Sequence, residues 1–192
     1  MEGCLEAPMP RGGGGAFIMY SLPMTLRILD IIEETTVDGP GFRNSVYCAG
    51  CHHHCPGCHN PDSWPMTAGR EVEVCELARM LLSDPYSDVT FSGGDPFFQA
   101  EAFAELASLI KQQSHKTIWA YTGFTYEALI REANPARLRL LSLIDVLVDG
   151  PFIMAQRNED LLFRGSSNQR LIDIKATQES GEVKLWKSDF VL

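Results

Sequence analysis

Short apolar runs, each bounded by Gly, Pro, Asp or polar residues, recur along the chain and predict six strands. Residues of this kind fit a pleated surface that is at least half buried. The predicted strands are Leu26–Ile32, Asn44–Tyr47, Val89–Phe91, Ile118–Tyr121, Val146–Val148 and Leu171–Ile174.

Apolar residues at helical spacing lie between these runs. Two segments carry them at positions i, i+3, i+4 and i+7: Val74, Leu77, Ala78 and Leu81 in the first, and Phe103, Leu106, Ala107 and Ile110 in the second. Thr125 is predicted to cap a short helix, and Asn134 followed by Pro135 is typical of the start of a helix, here one that runs through Leu143. Strands that alternate with helices indicate an α/β fold with a mostly parallel sheet.

Polar and glycine-rich motifs follow four of the predicted strands. A cysteine-rich loop comes after Asn44–Tyr47, and the segments Gly93–Asp95, Thr122–Gly123 and Asp149 each come directly after a later strand. In sheets of this kind the reactive groups lie at the carboxyl ends of the strands. The sequence therefore predicts one functional edge.

Composition limits the class of protein. The chain has 192 residues, 45% of them hydrophobic, which fits one compact domain. Its formal net charge of -9 argues against a nucleic-acid partner, because phosphate binding needs a basic surface. No apolar run approaches the roughly 18 residues that span a bilayer, and the basic start of a secretory signal is missing. We therefore expect a cytoplasmic protein.

The first residues differ in composition from the rest. Pro8, Pro10 and the run Gly12–Gly15 cannot bury much apolar surface. We expect residues 1–23 to be a disordered leader or extension, and residues 24–192 to form the folded domain.

Cysteine spacing is the strongest chemical signal. Four of the six cysteines fall within Cys48–Cys58, and so local a cluster without an export signal indicates metal or cofactor ligation. Cys51, Cys55 and Cys58 have the spacing C-x3-C-x2-C. Ordinary cubane iron–sulfur clusters take four cysteines, so three would leave one iron open to a substrate. An open iron of this kind is what S-adenosylmethionine chemistry requires.

Other interpretations of the loop remain open at this stage. Cys48 could complete a four-thiolate zinc site, although the two cysteine pairs are closer together than in zinc ribbons. Cys48 also follows the alternation of its strand, which favours a core residue. The three consecutive histidines His52–His54 are expected to face solvent rather than to bind metal.

Several motifs together resemble the glycyl-radical activases of the radical S-adenosylmethionine family. These are Asp38–Arg43 (DGPGFR), the cysteine loop, His59–Trp64 (HNPDSW) and Ser92–Pro96 (SGGDP). The runs Val146–Gly150 (VLVDG) and Arg164–Arg170 (RGSSNQR) are similar to the branch of that family that activates anaerobic ribonucleotide reductase. The resemblance extends from about Leu26 to Ile174.

The resemblance implies a set of site residues. Cys51, Cys55 and Cys58 would hold a 4Fe-4S cluster. The other expected cofactor contacts are Gly57, Cys58, His59, Gly93, Gly94, Asp95 and Asp149. Of these, Gly93 and Gly94 would let the backbone approach the methionine moiety, Asp95 would accept from its amine, and Asp149 would contact the ribose or the methionyl group.

The resemblance also implies a reaction, a fold and partners. A flavodoxin-like donor would reduce the cluster, S-adenosylmethionine would be cleaved to a 5′-deoxyadenosyl radical, and this radical would take hydrogen from a glycine of the catalytic subunit of anaerobic ribonucleotide reductase. The fold would be a partial, open (β/α) barrel of five or six strands. A pyruvate formate-lyase-type activating enzyme, a small-molecule radical enzyme and a non-catalytic zinc-binding interaction module are the alternatives.

Overall fold

The computed structural model describes residues 23–187. Residues 1–22, nearly all of the expected leader or extension, lie outside the described residues. Within residues 23–187 the strands are β1 Thr25–Thr35, β2 Arg43–Cys48, β3 Arg70–Glu73, β4 Asp88–Gly93, β5 Ile118–Tyr121, β6 Val146–Asp149 and β7 Arg170–Asp173. The helices are α1 Val74–Ser83, α2 Ala100–Gln113, α3 Tyr126–Glu132, α4 Pro135–Leu143 and α5 Ile174–Ser180.

The strands form one open sheet in the order β3-β1-β2-β4-β5-β6-β7. The central strands β2, β4, β5 and β6 are parallel, whereas β1, β3 and β7 pair antiparallel with their neighbours. The α/β class is therefore confirmed, and the parallel order is confined to the centre of the sheet. That centre brings the carboxyl ends of four strands to one edge.

Two parts of the described chain differ from the sequence prediction. β3 was not predicted, because Arg70–Glu73 has Val72 as its sole apolar residue, and the sheet within residues 23–187 therefore has seven strands rather than five or six. Charged side chains are usual on such an edge strand. The predicted last strand includes Ile174, whereas the structure places this residue at the start of α5. The Asp173 carboxylate caps that helix by accepting from the N–H of Ala176 at 2.8 Å.

The predicted helix starts are confirmed by their hydrogen bonds. The Thr125 hydroxyl accepts from the N–H of Ala128 at 3.3 Å. The Asn134 side-chain oxygen accepts from the N–H groups of Ala136 and Arg137 at 3.0 and 3.2 Å. These caps satisfy backbone donors that the first helical turn leaves free.

Side-chain alternation along the strands divides the core between the two faces of the sheet. Phe91, Ala120 and Leu147 belong to the larger apolar cluster, which includes buried residues of α1, α2 and α4. Trp119 and Val148, on the alternate positions, belong to a second cluster on the opposite face. The central strands β5 and β6 are therefore packed against apolar side chains on both faces of the sheet.

Arg43 joins the central strands below the functional edge. Its side chain is fully buried, and its Nε and Nη2 atoms donate to the Thr90 hydroxyl and the Val89 carbonyl, both at 2.6 Å. Nη1 lies 3.6 Å from an Asp88 oxygen, and the guanidinium stands over the Trp119 ring at 5.4 Å. Burial lowers the pKa of Arg43 to about 10, so the group stays charged at neutral pH.

A search of the described helices for a segment both long and apolar enough to cross a bilayer finds none.

Candidate functional site

A cavity of about 320 Å³ lies at the carboxyl ends of the central parallel strands. Its volume falls within the usual range of small-molecule sites. Six of the residues predicted from the sequence line it: Cys51, Cys55, Cys58, His59, Gly93 and Gly94. Segments more than 30 residues apart along the chain are thus brought to one place.

The three cysteines of the loop face this cavity as free thiols. The N–H of Cys58 donates to the Cys55 carbonyl at 3.0 Å, which closes a turn at Gly57, whose φ is +76°. Burial raises the pKa of the Cys51 thiol to about 11, so the free thiol keeps its proton at neutral pH.

Backbone hydrogen bonds hold the start of the cysteine loop. The N–H groups of Gly50 and Cys51 donate to the carbonyls of Ser63 and Trp64 at 2.7 and 3.1 Å. The Asn60 N–H lies 3.4 Å from the Cys58 sulfur and donates to it. The loop therefore folds back on the segment that follows it, and this directs its sulfurs towards the cavity.

Gly93 and Gly94 bring the end of β4 against the start of the loop. Gly93 has a φ of +98°, and a Cβ there would lie 2.4 Å from the backbone nitrogen of Cys48. The Gly94 N–H donates to the Cys48 carbonyl at 2.7 Å. Glycine is required here for conformation and for close approach, independently of any ligand.

Three expected cofactor contacts do not line the cavity. Gly57 lies at the turn of the loop, under the side chain of Met154. Asp95 and Asp149 are each 1% exposed and are bonded within the chain. Asp149 is ion-paired with Arg170: the Arg170 Nε donates to Oδ1 of Asp149 at 3.0 Å. The other carboxylate oxygen of Asp149, Oδ2, accepts from the Tyr126 N–H at 2.8 Å.

The cavity also has lining residues that the sequence did not single out. Tyr47 and Tyr121 are on the sheet face opposite α1, α2 and α4, and Asp38 lies beside them. The Tyr47 hydroxyl donates to Asp38 Oδ2 at 2.6 Å, and the Tyr121 hydroxyl donates to the Phe163 carbonyl at 2.9 Å. Strand alternation next to the apolar Val46 and Ala120 is the signal that could have identified the two tyrosines.

Gln169 connects the Arg164–Arg170 run to the cavity. Its side-chain oxygen accepts from the N–H of Gly165 at 2.9 Å, and its side-chain nitrogen donates to the Gly150 carbonyl at 3.1 Å. All three of these residues line the cavity. The run therefore builds one wall of the site by folding onto the end of β6.

The three consecutive histidines do not share one environment. His52 and His54 are exposed, as expected, and pack against Phe98 and Trp64 respectively. The expectation was wrong for His53, whose side chain is 17% exposed. Its Nε2 lies 2.8 Å from Asp95 Oδ2, which draws the ring inward.

Cys48, the fourth cysteine of the cluster, belongs to the hydrophobic core and is fully buried. Burial raises the pKa of its thiol well above the ordinary value. The prediction of a core residue is confirmed. The cavity thus presents three soft donors, which is the donor number and type that a cluster with one open iron would need.

Comparison with known proteins agrees with this donor set. A family model described as a 4Fe-4S single cluster domain matches residues 37–172. The match supports the iron–sulfur interpretation of the loop over the zinc one.

Curated proteins that are about one third identical to this chain share one name, anaerobic ribonucleoside-triphosphate reductase-activating protein. The one from Salmonella typhi is 33% identical over 144 residues, which is 69% of this chain and 89% of that protein. The protein from Vibrio cholerae is 35% identical over 142 residues, which is 69% of this chain and 88% of that protein. The protein of bacteriophage T4 is 34% identical over 143 residues, or 70% and 86%.

Proposed function

The chain belongs to the family of anaerobic ribonucleoside-triphosphate reductase-activating proteins, and on that premise we propose that it activates an anaerobic ribonucleotide reductase by forming a glycyl radical on its catalytic subunit. The observation that carries the proposal is the cavity in which three free thiols meet the Gly93–Gly94 segment. The reductase-activating branch is preferred to the pyruvate formate-lyase type because the similar proteins carry the reductase name.

Cys51, Cys55 and Cys58 would hold the 4Fe-4S cluster. A cluster held by these three residues would keep one iron without a protein ligand, and the cavity that they line provides space for a cofactor. When bound, the cluster and S-adenosylmethionine would supply one-electron cleavage of the sulfonium and abstraction of hydrogen from a glycine Cα. A flavodoxin-like protein is the proposed electron donor.

The chain itself would bind and orient S-adenosylmethionine. Gly93 and Gly94 present backbone at the end of β4, and His59 places a flat ring at the cavity wall, 5.3 Å from Phe152 between ring centroids. Gly57 would act through the turn that places Cys58. The Asp95 and Asp149 carboxylates are held by their own chain, so we assign them a supporting role rather than a direct contact.

The proposed fold is a partial, open (β/α) barrel of the radical S-adenosylmethionine type. An open sheet with the site at the carboxyl ends of its strands supports this, since a loop of a partner protein needs an accessible mouth. The loop that follows β6 carries an exposed apolar side chain, Leu162, which is 56% exposed.

Anaerobic electron paramagnetic resonance of the reconstituted, reduced protein tests the proposal. We expect a reduced 4Fe-4S signal that shifts when S-adenosylmethionine is added, formation of 5′-deoxyadenosine, and a glycyl-radical signal when the reductase subunit is present. A reduced signal that does not respond to S-adenosylmethionine would contradict the proposal.

Two variants give the matched comparison. Cys55→Ser removes a proposed ligand and is expected to abolish the signal. Cys48→Ala removes a thiol of the same segment that faces the core rather than the cavity, and it is expected to keep the signal.

A further inference from the structure

The buried carboxylate of Asp95 is bonded by four donors of its own chain. Oδ1 accepts from the N–H of Phe97 at 2.9 Å. Oδ2 lies 2.8 Å from Nε2 of His53, and it accepts from the Thr122 hydroxyl at 2.8 Å and from the Gly123 N–H at 3.0 Å. Each carboxylate oxygen offers about two lone-pair sites, so the three partners of Oδ2 take up the accepting capacity of that oxygen. The carboxylate joins the cysteine loop to the turns that follow β4 and β5.

His53 is the point at which the loop is held. It lies midway between Cys51 and Cys55, and its ring packs against Phe124 and Phe98 with centroid distances of 4.6 and 5.4 Å. A ring held by a carboxylate and by two aromatic side chains cannot rotate freely. Because each thiol is two residues away, fixing this ring also fixes the backbone that carries Cys51 and Cys55.

The two aromatic rings that pack on His53, those of Phe98 and Phe124, are in turn held by a helix. Arg137 of α4 stands over the Phe124 ring at 4.3 Å and over the Phe98 ring at 5.4 Å. Its Nε donates to the Phe97 carbonyl at 3.0 Å. The residues that hold the His53 ring are therefore themselves fixed by Arg137 of α4.

The loop has few alternatives to this anchor. Within residues 23–187, no backbone–backbone hydrogen bond involves His52, His53 or His54. A Cβ at Gly123 would lie 2.4 Å from the His53 ring, which shows how closely the turn after β5 packs on it. Side-chain contacts, and chiefly those of His53, position the segment between the first two thiols.

We propose that His53 and Asp95 form one positioning pair that orients Cys51 and Cys55, and that Asp95 acts on the cofactor through this pair rather than by contact with S-adenosylmethionine. The inference rests on the proposed function, since it takes both cysteines as cluster ligands. Partners that orient a metal ligand typically change metal affinity or activity by about 10- to 100-fold.

Iron retention and the spectrum of the cluster test the pair in the reconstituted full chain. His53→Ala and Asp95→Asn are each expected to release iron to a chelator about tenfold faster or more, and to change the electron paramagnetic resonance signal of the reduced cluster. The double variant is expected to release iron no faster than Asp95→Asn alone, because the link to Asp95 that His53→Ala removes is already lost in that variant.

Further variants separate positioning from folding. His53→Gln keeps an N–H that can donate to Asp95 and is expected to restore most of the retention. His53→Phe keeps a ring between Phe124 and Phe98 without a donor, and it is expected to behave as His53→Ala. His52→Ala and His54→Ala are the controls in the same loop: each removes a ring contact but no hydrogen bond to Asp95, and each is expected to release iron more slowly than His53→Ala.

Two results would overturn the pair. One is wild-type iron retention and spectrum in both His53→Ala and His53→Phe. The other is an Asp95→Asn protein that retains iron normally but binds S-adenosylmethionine more weakly, because that indicates a direct contact. Failure of the proposed function would differ from both, since the wild-type cluster itself would then not respond to S-adenosylmethionine.

Discussion

Gly94 and Gly50 are in such close contact that a Cβ at position 94 would lie 2.5 Å from the Gly50 carbonyl oxygen. The obstacle is backbone, which cannot move aside as a flexible side chain would. The same strand end and loop are joined by the Asp95 N–H, which donates to the Gly50 carbonyl at 2.9 Å. The glycine pair therefore sets the distance between β4 and the cysteine loop.

Gly94→Ala is expected to separate β4 from the loop. Overpacking of this kind typically lowers stability by about 1–3 kcal/mol. Because the loop carries the proposed cluster ligands, we expect lower iron content per chain as well as a lower midpoint of thermal unfolding. Both quantities are measured on reconstituted protein prepared in parallel with wild type.

Gly181→Ala is the control for this substitution. Gly181 ends α5 with a φ of +72°, and nothing lies within 4 Å of an added Cβ. An alanine there is expected to lower stability by about 1–2 kcal/mol through backbone conformation alone and to leave the iron content unchanged. Equal iron loss in both variants would refute the role given to the contact between Gly94 and Gly50.

The pair of Asp149 and Arg170 gives the second prediction. Arg170→Met would leave the buried Asp149 carboxylate without its cation, while the Tyr126 N–H would remain its donor. Breaking a buried pair on one side lowers the free energy of unfolding by about 3 kcal/mol, and somewhat less here because the Arg170 side chain is 32% exposed. Urea unfolding measures the loss.

An exposed ion pair is the control for Arg170→Met. Arg157 and Glu159 have side-chain exposures of 45% and 81%, so Arg157→Met is expected to change stability by less than about 1 kcal/mol. If Arg170→Met were as mild as Arg157→Met, the pairing of Asp149 with Arg170 would contribute no more to stability than an exposed ion pair, and the prediction would be wrong.

Most of the fold could be predicted from local sequence patterns, because buried strands and helix caps have local signals. β3 could not, since a polar edge strand such as Arg70–Glu73 forms only because β1 lies beside it. The proposed ligands Cys51, Cys55 and Cys58 could be identified because their spacing is itself the signal.

The rest of the site depends on contacts that spacing does not reveal. Tyr47 and Tyr121 meet at the cavity through the register of β2, β4 and β5. His53 and Asp95 are 42 residues apart, and nothing local distinguishes His53 from its two neighbours. The sequence therefore predicted Asp95 as a ligand contact, whereas its hydrogen bonds depend on how three segments pack.

The two tyrosines of the cavity give the third prediction, which concerns alkaline pH. Burial raises the pKa of Tyr47 well above its usual value, and the hydrogen bond to Asp38 adds to this. Burial likewise raises the pKa of Tyr121. The native state therefore keeps protons that the unfolded chain loses above about pH 10, and the free energy of unfolding should fall as the pH rises past that value.

Tyr47→Phe removes one of these protons and should make the decline less steep. A group that titrates fully contributes about 1.4 kcal/mol per pH unit, and Tyr47 contributes less because it is partly exposed to solvent. Urea unfolding between about pH 8 and pH 11 measures the slope, and the near-ultraviolet absorbance of phenolate follows ionisation in the folded protein. Tyr86→Phe is the control, since that side chain is 88% exposed, and it should retain the wild-type slope. A Tyr47→Phe slope equal to that of Tyr86→Phe would contradict the prediction, because Tyr47 would then ionise in the folded protein as readily as in the unfolded chain.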